Sequence, residues 1–248
     1  MPRYFLEVSY KGTAYSGFQS QKNANTIQAE IEKAFHILCR QHIELTGSSR
    51  TDAGVHALQN YFHFDSHSEL APELIYNLNA ILPDDIAVKN LLQVKGDSHC
   101  RFDAVSREYK YFIYNKKNPF FKDRAFYFPY QVDLNLMKEA AEIVKEYTDF
   151  TSFSKRKTQV KTFNCTIIES RWVMDDECMV YQVKANRFLR GMVRALTATI
   201  LMAGRKKIAV NEFRKIIEAK DCKLASFAVP AHGLFLVEVL FPENYFGV

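Results

Sequence analysis

The order in which strand-like and helix-like stretches follow one another constrains the fold of this chain more than any other feature. Apolar residues that alternate with polar ones are typical of a half-buried strand, and apolar residues three or four apart are typical of an amphipathic helix. By these patterns the first hundred residues contain, in order, strand 3–10, helix 25–40, strands 43–49 and 55–64, helix 72–81 and strand 86–94. Their order is β-α-β-β-α-β.

The rest of the chain repeats this order. It contains strand 107–115, helix 134–147, strands 163–174 and 178–185, helix 187–203 and strand 234–241, with an additional helix at 211–219. The repeat predicts an α/β (α+β) protein of two ferredoxin-like halves, the topology of small RNA-recognition modules, with mainly antiparallel sheets and a central RNA-binding cleft. Because the hydrophobic pattern lapses near 97–106, we expect the halves to be 1–100 and 101–248.

The composition of the chain argues against disordered, secreted and membrane-spanning proteins. Its 248 residues are 48% hydrophobic, enough for a large core, and no tract is rich in Pro, Gly or Ser. The first ten residues alternate like a strand instead of forming an apolar signal segment, and no later run reaches membrane-spanning length. Five scattered cysteines without a CxxC pair indicate reduced thiols. We therefore expect a cytoplasmic protein that does not contact membranes.

The histidines do not predict a metal site. His63 and His67 lie at the end of a predicted strand, but no third plausible ligand is near them in the sequence. The His-x-Glu and Pro-Cys-x-x-Cys pattern of a zinc deaminase is absent, and so is a nucleotide-binding loop. We expect neither a metal nor a cofactor.

Basic side chains are clustered although the net charge is modest. The 33 Lys and Arg against 28 Asp and Glu give +5, with clusters at 155–157, 187–190 and 205–207. In the predicted helix 187–203, Arg187, Arg190 and Arg194 would fall within an arc of roughly 60° opposite an apolar face. No glutamate follows Arg187 before Arg205 to pair with them. The face is either a solvated basic stripe or a site for a polyanion or a buried carboxylate.

Two aromatic stretches have the composition of a surface that stacks on unpaired bases. "SREYKYFIYN" predicts a strand with Tyr109 and Tyr111 on one side, and "YSGFQSQ" places Tyr15 and Phe18 in a glycine-containing loop. Rings beside basic groups suit such stacking. The alternative is a place in the core, which we favour for Tyr111 and Tyr114.

The polar stretch "GSSRTDAGVHA" connects two predicted strands. It places one carboxylate, Asp52, two residues after one guanidinium, Arg50. Thr-Asp-Ala-Gly alone has ordinary turn chemistry, because Asp bonds its own downstream backbone and Gly accepts positive φ. The strand that follows would place Leu58, Phe62 and Phe64 on one face. Local sequence alone therefore favours a hairpin turn here.

The same stretch resembles the catalytic motif of the tRNA pseudouridine synthase A family, in which Gly-Ala-Gly or a similar triplet precedes Arg-Thr-Asp-Ala-Gly-Val-His. Ser48 and Ser49 depart from that triplet, whereas Arg50, Thr51 and Asp52 match. Other stretches resemble the family's motifs in order and spacing: "YSGFQSQ", "REYKY" at 107–111, "DFTSF" at 149–153, "NRFLRGMVR" at 186–194 and "GLFL" at 233–236. The resemblance covers nearly the whole chain.

The resemblance implies an isomerase that converts uridine to pseudouridine in tRNA, with Asp52 as the nucleophile. The glycosidic C–N bond would break and the ribose would rejoin through C5 of uracil, after attack by the carboxylate on either the sugar or the base. Arg194 resembles the family's partner to the catalytic carboxylate. The reaction has no redox change and no energy input, so the resemblance implies no metal and no cofactor.

Other residues acquire roles that concern RNA binding. By resemblance, Arg50 would enter the RNA helix in place of the flipped base, and Tyr109 would stack on the extruded uracil and assist removal of the C5 proton. Leu234 resembles the apolar residue that packs against the base. We assign Arg187 and Arg190 of the basic helix to phosphate contacts.

The resemblance also implies the substrate and the assembly. The family acts on the anticodon stem-loop of tRNA, at uridines 38, 39 and 40, and works as a homodimer that holds one tRNA across both subunits. Two other functions stay open. The fold could belong to a binding module that remodels RNA without chemistry, or to a hydrolase that uses Asp52 to cleave nucleosides and releases free uracil.

Overall fold

The fold was determined as a computed structural model, which describes residues 1–40, 42–156 and 160–246. It splits into two compact units: the first is Met1–Val105 with Phe235–Val248, and the second is Ser106–Leu234. The break after Val105 falls in the segment where the hydrophobic pattern lapses. The predicted halves, 1–100 and 101–248, differ from these units because the end of the chain returns to the first one.

The first unit is an antiparallel sheet with two helices. Its elements are β1 (Arg3–Tyr10), α1 (Ile27–Cys39), β2 (Thr46–Gly47), β3 (His56–Asp65), α2 (Leu74–Ile81) and β4 (Ile86–Val94). β1 pairs with both β3 and β4, and β2 pairs with β3. The strand order β4-β1-β3-β2 is that of a ferredoxin-like unit, as predicted.

The core of the first unit lies where α1 covers the sheet. Helical spacing brings its apolar side chains to one face, and Phe35 meets Phe64 of β3 edge-to-face at 5.2 Å. The prediction that Leu58 shares a face with Phe62 and Phe64 is wrong, because Leu58 is 48% exposed. Val8 pairs with Asn60 and Tyr10 with Ala57, so β3 holds one extra residue there, and this bulge reverses the alternation.

The second unit repeats the order of strand, helix, two strands and helix, with one short strand added before the first helix, whereas the predicted last strand 234–241 belongs to the first unit from Phe235 onward. Its elements are β5 (Ser106–Tyr114), β6 (Phe126–Tyr127), α3 (Leu134–Val144), β7 (Ile167–Asp175), β8 (Cys178–Ala185), α4 (Met192–Gly204) and α5 (Val210–Glu218). β8 lies between β5 and β7 and is antiparallel to both. The two repeated halves confirm the predicted α+β fold. Among the described residues, no helix combines the length and apolarity needed to cross a membrane.

The last strand explains why the end of the chain belongs to the first unit. β9 (Leu234–Leu240) runs parallel to the start of β3, with His56 opposite Phe235 and Ala57 opposite Leu236. Leu236 is fully buried, and the Val239 amide donates to the Gln59 side chain at 2.9 Å. β3 therefore pairs with β9 at its beginning and with β2 near its end.

Helix α4 begins five residues later than the predicted helix 187–203. Gly191 caps it with φ 76°, and the Arg190 carbonyl accepts from the Lys155 amide at 3.0 Å. Arg187 and Arg190 consequently lie outside the helix, so the prediction of one basic helical face with Arg194 is wrong. The helix itself is buried along most of its length.

Candidate active site

The loop that carries Arg50 and Asp52 is held from within by one amide side chain. Asn60, on β3, is fully buried. Its Oδ1 accepts from the Ser49 amide at 3.3 Å, and its Nδ2 donates to the Ser49 carbonyl at 2.8 Å and to the Tyr10 hydroxyl at 3.2 Å. The loop is anchored at Ser49 through backbone groups. A change of side chain at that position, such as the departure from the family's usual triplet, leaves this anchor intact.

Thr51 lies between the two predicted site residues, Arg50 and Asp52, and is held by hydrogen bonds. Its hydroxyl lies 2.8 Å from the Tyr10 hydroxyl, and its carbonyl accepts from the Phe18 amide at 3.2 Å. Thr51 is buried, whereas Arg50 is exposed and Asp52 is partly exposed. The buried threonine therefore leaves its two charged neighbours accessible.

Asp52 begins a tight turn. The Val55 amide donates to the Asp52 carbonyl at 3.2 Å, and Gly54 has φ 79°, as the third residue of a type II turn requires. Gly12 packs against this turn so closely that a Cβ there would lie 2.0 Å from the Val55 carbonyl oxygen. The hairpin-turn interpretation of the local sequence is correct, and the turn is what presents the carboxylate.

His56 closes the loop where β3 begins. The ring is 1% exposed, and its Nδ1 accepts from the Gly12 amide at 3.0 Å, which places the proton of the neutral ring on Nε2. The ring also packs against Phe235, with centroids 4.5 Å apart. His56 thus connects the start of β3 to the "GLFL" stretch on β9.

In the second unit, one tyrosine of β5 lies near the surface and two lie in the core. Tyr109 is partly exposed and meets Phe188 edge-to-face at 5.1 Å. Tyr111 and Tyr114 are buried, which confirms their expected place in the core. The stacking role considered for Tyr15 and Phe18 is wrong, because these rings are 5% and 1% exposed.

Arg187 and Arg190 lie in the irregular segment before α4. Asn186 anchors the segment, because its side chain accepts from the Thr166 amide at 2.8 Å and its carbonyl accepts from Arg107 at 3.1 Å. Arg187 is partly exposed and Arg190 is exposed. Both side chains therefore reach the surface on a segment that the fold holds in place.

Arg194 lies in the first turn of α4 and is partly exposed. Its Nε and Nη2 both donate to the Val229 carbonyl, at 3.0 and 2.6 Å, which orients the guanidinium. The next carbonyl, of Pro230, accepts from the Tyr111 hydroxyl at 2.6 Å. This segment leads to Leu234, which is 6% exposed at the start of β9.

The remaining basic clusters are only partly described. Lys157 lies outside the described residues. Arg205 stacks over the Tyr130 ring at 3.9 Å, and Lys206 pairs with Asp133 at 3.6 Å, so these two residues of the cluster at 205–207 contact their own unit.

The structure distributes the predicted site residues over both units. The first unit holds Arg50 and Asp52; the second holds Tyr109, Arg187, Arg190, Arg194 and Leu234. Sequence reasoning missed Asn60, although a polar amide two residues before Phe62 in a strand pattern is a signal for a buried hydrogen-bonded side chain. Among the described residues, one group could hold a metal ion, His63, His99 and Cys100, and it does not include the Asp52 loop.

Comparisons with known proteins place these motifs in one family. A family model described as tRNA pseudouridine synthase matches residues 7–103 and 147–242. The chain is 43% identical to a tRNA pseudouridine synthase A of Parabacteroides distasonis, over 100% of this chain and 99% of the relative. It is 41% identical to that of Porphyromonas gingivalis, over 99% and 100%, and 37% identical to that of Staphylococcus aureus, over 98% and 92%.

Proposed function

Because the chain belongs to the tRNA pseudouridine synthase family and is an isomerase that converts uridine to pseudouridine in tRNA, we propose that Asp52 is the nucleophile of this reaction. The observation that supports this role is the loop itself: a partly exposed carboxylate on a turn whose preceding residues are hydrogen-bonded into the core. Such anchoring limits the positions that the carboxylate can adopt.

The proposed step balances without any external reagent. A carboxylate oxygen of Asp52 forms a bond to the ribose C1′ or to the uracil ring, and the bond between N1 and C1′ breaks. The uracil then turns so that C5 bonds to C1′, the enzyme–substrate bond breaks, and the proton on C5 leaves as N1 gains one. The product has the same atoms as the substrate.

The other site residues receive roles in capturing the base. Arg50 replaces the flipped uridine in the RNA helix, a role that its exposure permits. Tyr109 stacks on the extruded uracil and assists removal of the C5 proton, while Leu234 packs against the base. Arg194 pairs with the Asp52 carboxylate.

The family resemblance supports a more specific proposal for the region of tRNA that is modified. We assign the reaction to the anticodon stem-loop, at uridines 38, 39 and 40, with Arg187 and Arg190 on its phosphates. The enzyme acts in the cytoplasm as a homodimer that binds one tRNA across both subunits. Exposure of Arg190 and the net charge of +5 are compatible with a polyanionic substrate.

The test of the nucleophile is Asp52→Asn. The amide has nearly the same size and keeps an oxygen for hydrogen bonding, but it is a far weaker nucleophile. We expect tritium release from C5-labelled uridine in tRNA to be lost, with tRNA affinity close to that of the wild type. Asp84→Asn, at an exposed position of the same unit, is the control and should release tritium normally. Normal release by Asp52→Asn would contradict the assignment.

The two rival functions give different products in the same assay. An RNA-binding module would leave uridine unchanged, so that carbodiimide labelling would detect no pseudouridine. A nucleoside hydrolase would release free uracil. We expect carbodiimide-reactive pseudouridine and no free uracil.

A further inference from the structure

Three side chains with metal-ligand chemistry converge in the first unit, near the end of β3. His63 lies on β3, and His99 and Cys100 lie in the turn that follows β4. One donor atom from each of the three lies within 4.8 Å of the others. His63 Nδ1 and Cys100 Sγ are 3.2 Å apart, and the two imidazole rings have centroids 4.5 Å apart. The sequence does not reveal this group, because His63 is far from the other two along the chain.

The fold holds all three residues in place. His63 is fixed in the sheet, opposite Phe5 of β1 and Thr46 of β2. Cys100 is fully buried and its thiol contacts the Thr46 carbonyl at 3.2 Å. The turn at His99 is fixed by Asp103, which accepts from the His99 amide at 2.7 Å. The donors are therefore brought together by the sheet and the turn before any ion binds.

We propose that His63, His99 and Cys100 bind a divalent transition-metal ion, Zn²⁺ by the chemistry of the donors. Two imidazole nitrogens and one thiolate suit zinc, whereas Mg²⁺ and Ca²⁺ require oxygen ligands. Ligands about 2.0–2.3 Å from a tetrahedral ion lie roughly 3.3–3.8 Å from one another. A closing movement of about 1 Å from the present separation therefore completes the site, and water fills the fourth position.

The charges around the group are compatible with a cation. On binding, the S–H bond of Cys100 breaks, the sulfur bonds to the metal and the proton goes to solvent, which leaves one negative charge on the ligand set. Arg3 and Arg101 are nearby cations, and both oxygens of Asp65 bind the Arg3 guanidinium, at 2.8 and 2.7 Å. This ion pair compensates the positive charge of Arg3.

The ion has a structural role that does not depend on the role of Asp52. His63 is seven residues from His56 along β3, which at about 3.3 Å per residue separates the metal group from the beginning of the strand by roughly 23 Å. A metal here would join β3 to the turn at residues 99–100, near the end of the first unit's long segment. Because it binds the folded chain, it should raise the thermal stability.

The experiment uses the full chain, stripped of metal with a chelator under reducing conditions and titrated with Co²⁺ and then Zn²⁺. We expect Co²⁺ to bind at one equivalent with a thiolate charge-transfer absorption, and Zn²⁺ to displace it and raise Tm. Cys100→Ser should lose both the absorption and the Tm increase. Cys165→Ser, at another buried cysteine, is the matched control and should keep both.

His99→Gln is a second test that removes a ligand from a less buried position, in case Cys100→Ser does not fold. It too should lose the stoichiometric absorption. The proposal is overturned if the wild-type chain shows no thiolate–Co²⁺ absorption, or if the folded ligand variants bind Co²⁺ as the Cys165→Ser control does.

Discussion

At the scale of single residues, Asn60 is the side chain on which the Asp52 loop most depends. Both polar atoms of its amide are used, and its partners belong to the loop, to β1 and to the neighbouring residue of β3. A buried amide that lacks hydrogen bonds destabilises the fold, and the same is true of the buried groups that bond to it. Asn60 thus couples the stability of the first unit to the geometry of the loop.

Asn60→Ala should therefore lower both stability and turnover. It leaves the Ser49 carbonyl and other buried groups without their partner, and each such group costs about 1–3 kcal/mol, so we expect a loss of about 3 kcal/mol in the free energy of unfolding. Urea unfolding and tritium release measure the two effects. Tyr10→Phe, which removes one hydroxyl, is the comparison and should cost about 1 kcal/mol. Equal losses in the two variants would mean that the bonds from Asn60 to the Ser49 backbone add nothing to the contribution of the Tyr10 hydroxyl.

At the scale of elements, the position at which α4 begins determines which of the three arginines, Arg187, Arg190 and Arg194, belong to the helix. Gly191, in the left-handed region, ends the preceding segment and begins the helix. Arg187 and Arg190 are then carried by an irregular segment, and only Arg194 is held by the helix and by the Val229 carbonyl. The spacing of the three arginines predicted one helical face, but two of them lie before the helix and only Arg194 lies in it.

Because the arginines lie in two different environments, we expect their alanine variants to differ in whether tRNA affinity or turnover is reduced. Arg187→Ala and Arg190→Ala should weaken tRNA binding and reduce the slope of log affinity against log salt by about one unit per lost phosphate contact. Arg194→Ala should instead slow the turnover of bound tRNA, because its charge is assigned to the carboxylate. Binding titrations at several salt concentrations and single-turnover assays separate the two. A change in affinity alone for all three variants would contradict the role of Arg194.

The "DFTSF" motif also acts at the scale of elements. Asp149 accepts from the Thr151 amide and hydroxyl and pairs with Lys220, beyond the end of α5, at 2.9 Å. Burial acts to raise the pKa of Asp149, but the hydrogen bonds from Thr151 and Lys220 outweigh it, and the pKa is lowered. These contacts connect the turn to the segment after α5.

A lowered pKa in the folded state gives this carboxylate a defined pH dependence. Its stabilising effect is complete above the unfolded pKa of aspartate and is lost as the pH falls through the lower folded value. Asp149→Asn should therefore destabilise the protein at pH 7, with a smaller difference from the wild type in acid. Urea unfolding of both proteins over this pH range measures it. A difference that stays constant with pH would show that the charge contributes nothing.

At the scale of the whole molecule, the first unit is assembled from both ends of the chain. Phe241, one residue after β9, is buried against Phe5 of β1 at 5.4 Å and Tyr61 of β3 at 5.2 Å. The first unit therefore completes its core only with the last segment of the chain. Two repeated patterns in the sequence do not correspond to two uninterrupted segments.

Phe241→Ala should destabilise the first unit. Removing a buried phenylalanine ring costs about 3–5 kcal/mol, and the cavity would adjoin β1 and β3. Native-state hydrogen exchange should show the larger loss of protection in these strands and a smaller one in β7 and β8. Phe120→Ala, at a ring that is 77% exposed in the second unit, is the control and should change little. Equal loss of protection in both units would contradict this assignment of the chain's end.

Much of the fold was accessible from periodicity, because alternation and helical spacing are local properties. The bounds of β1, β4 and β8 agree with the prediction, and the motif around Asp52 lies where its turn chemistry indicated. Predictions were wrong where a local pattern was interrupted. The extra residue in β3 exposed Leu58, and the glycine before Met192 removed Arg187 and Arg190 from the helix.

By itself, the sequence determined the repeated β-α-β-β-α-β order, the family and the residues of the loop. Each of these depends on neighbours a few positions apart or on the identity of a motif. Only the tertiary structure decided that β9 completes the first unit, that Asn60 holds the loop from beneath, and that His63 meets Cys100. These contacts join residues that are remote in sequence, and their partners are selected by sheet pairing and burial, which a one-dimensional pattern does not specify.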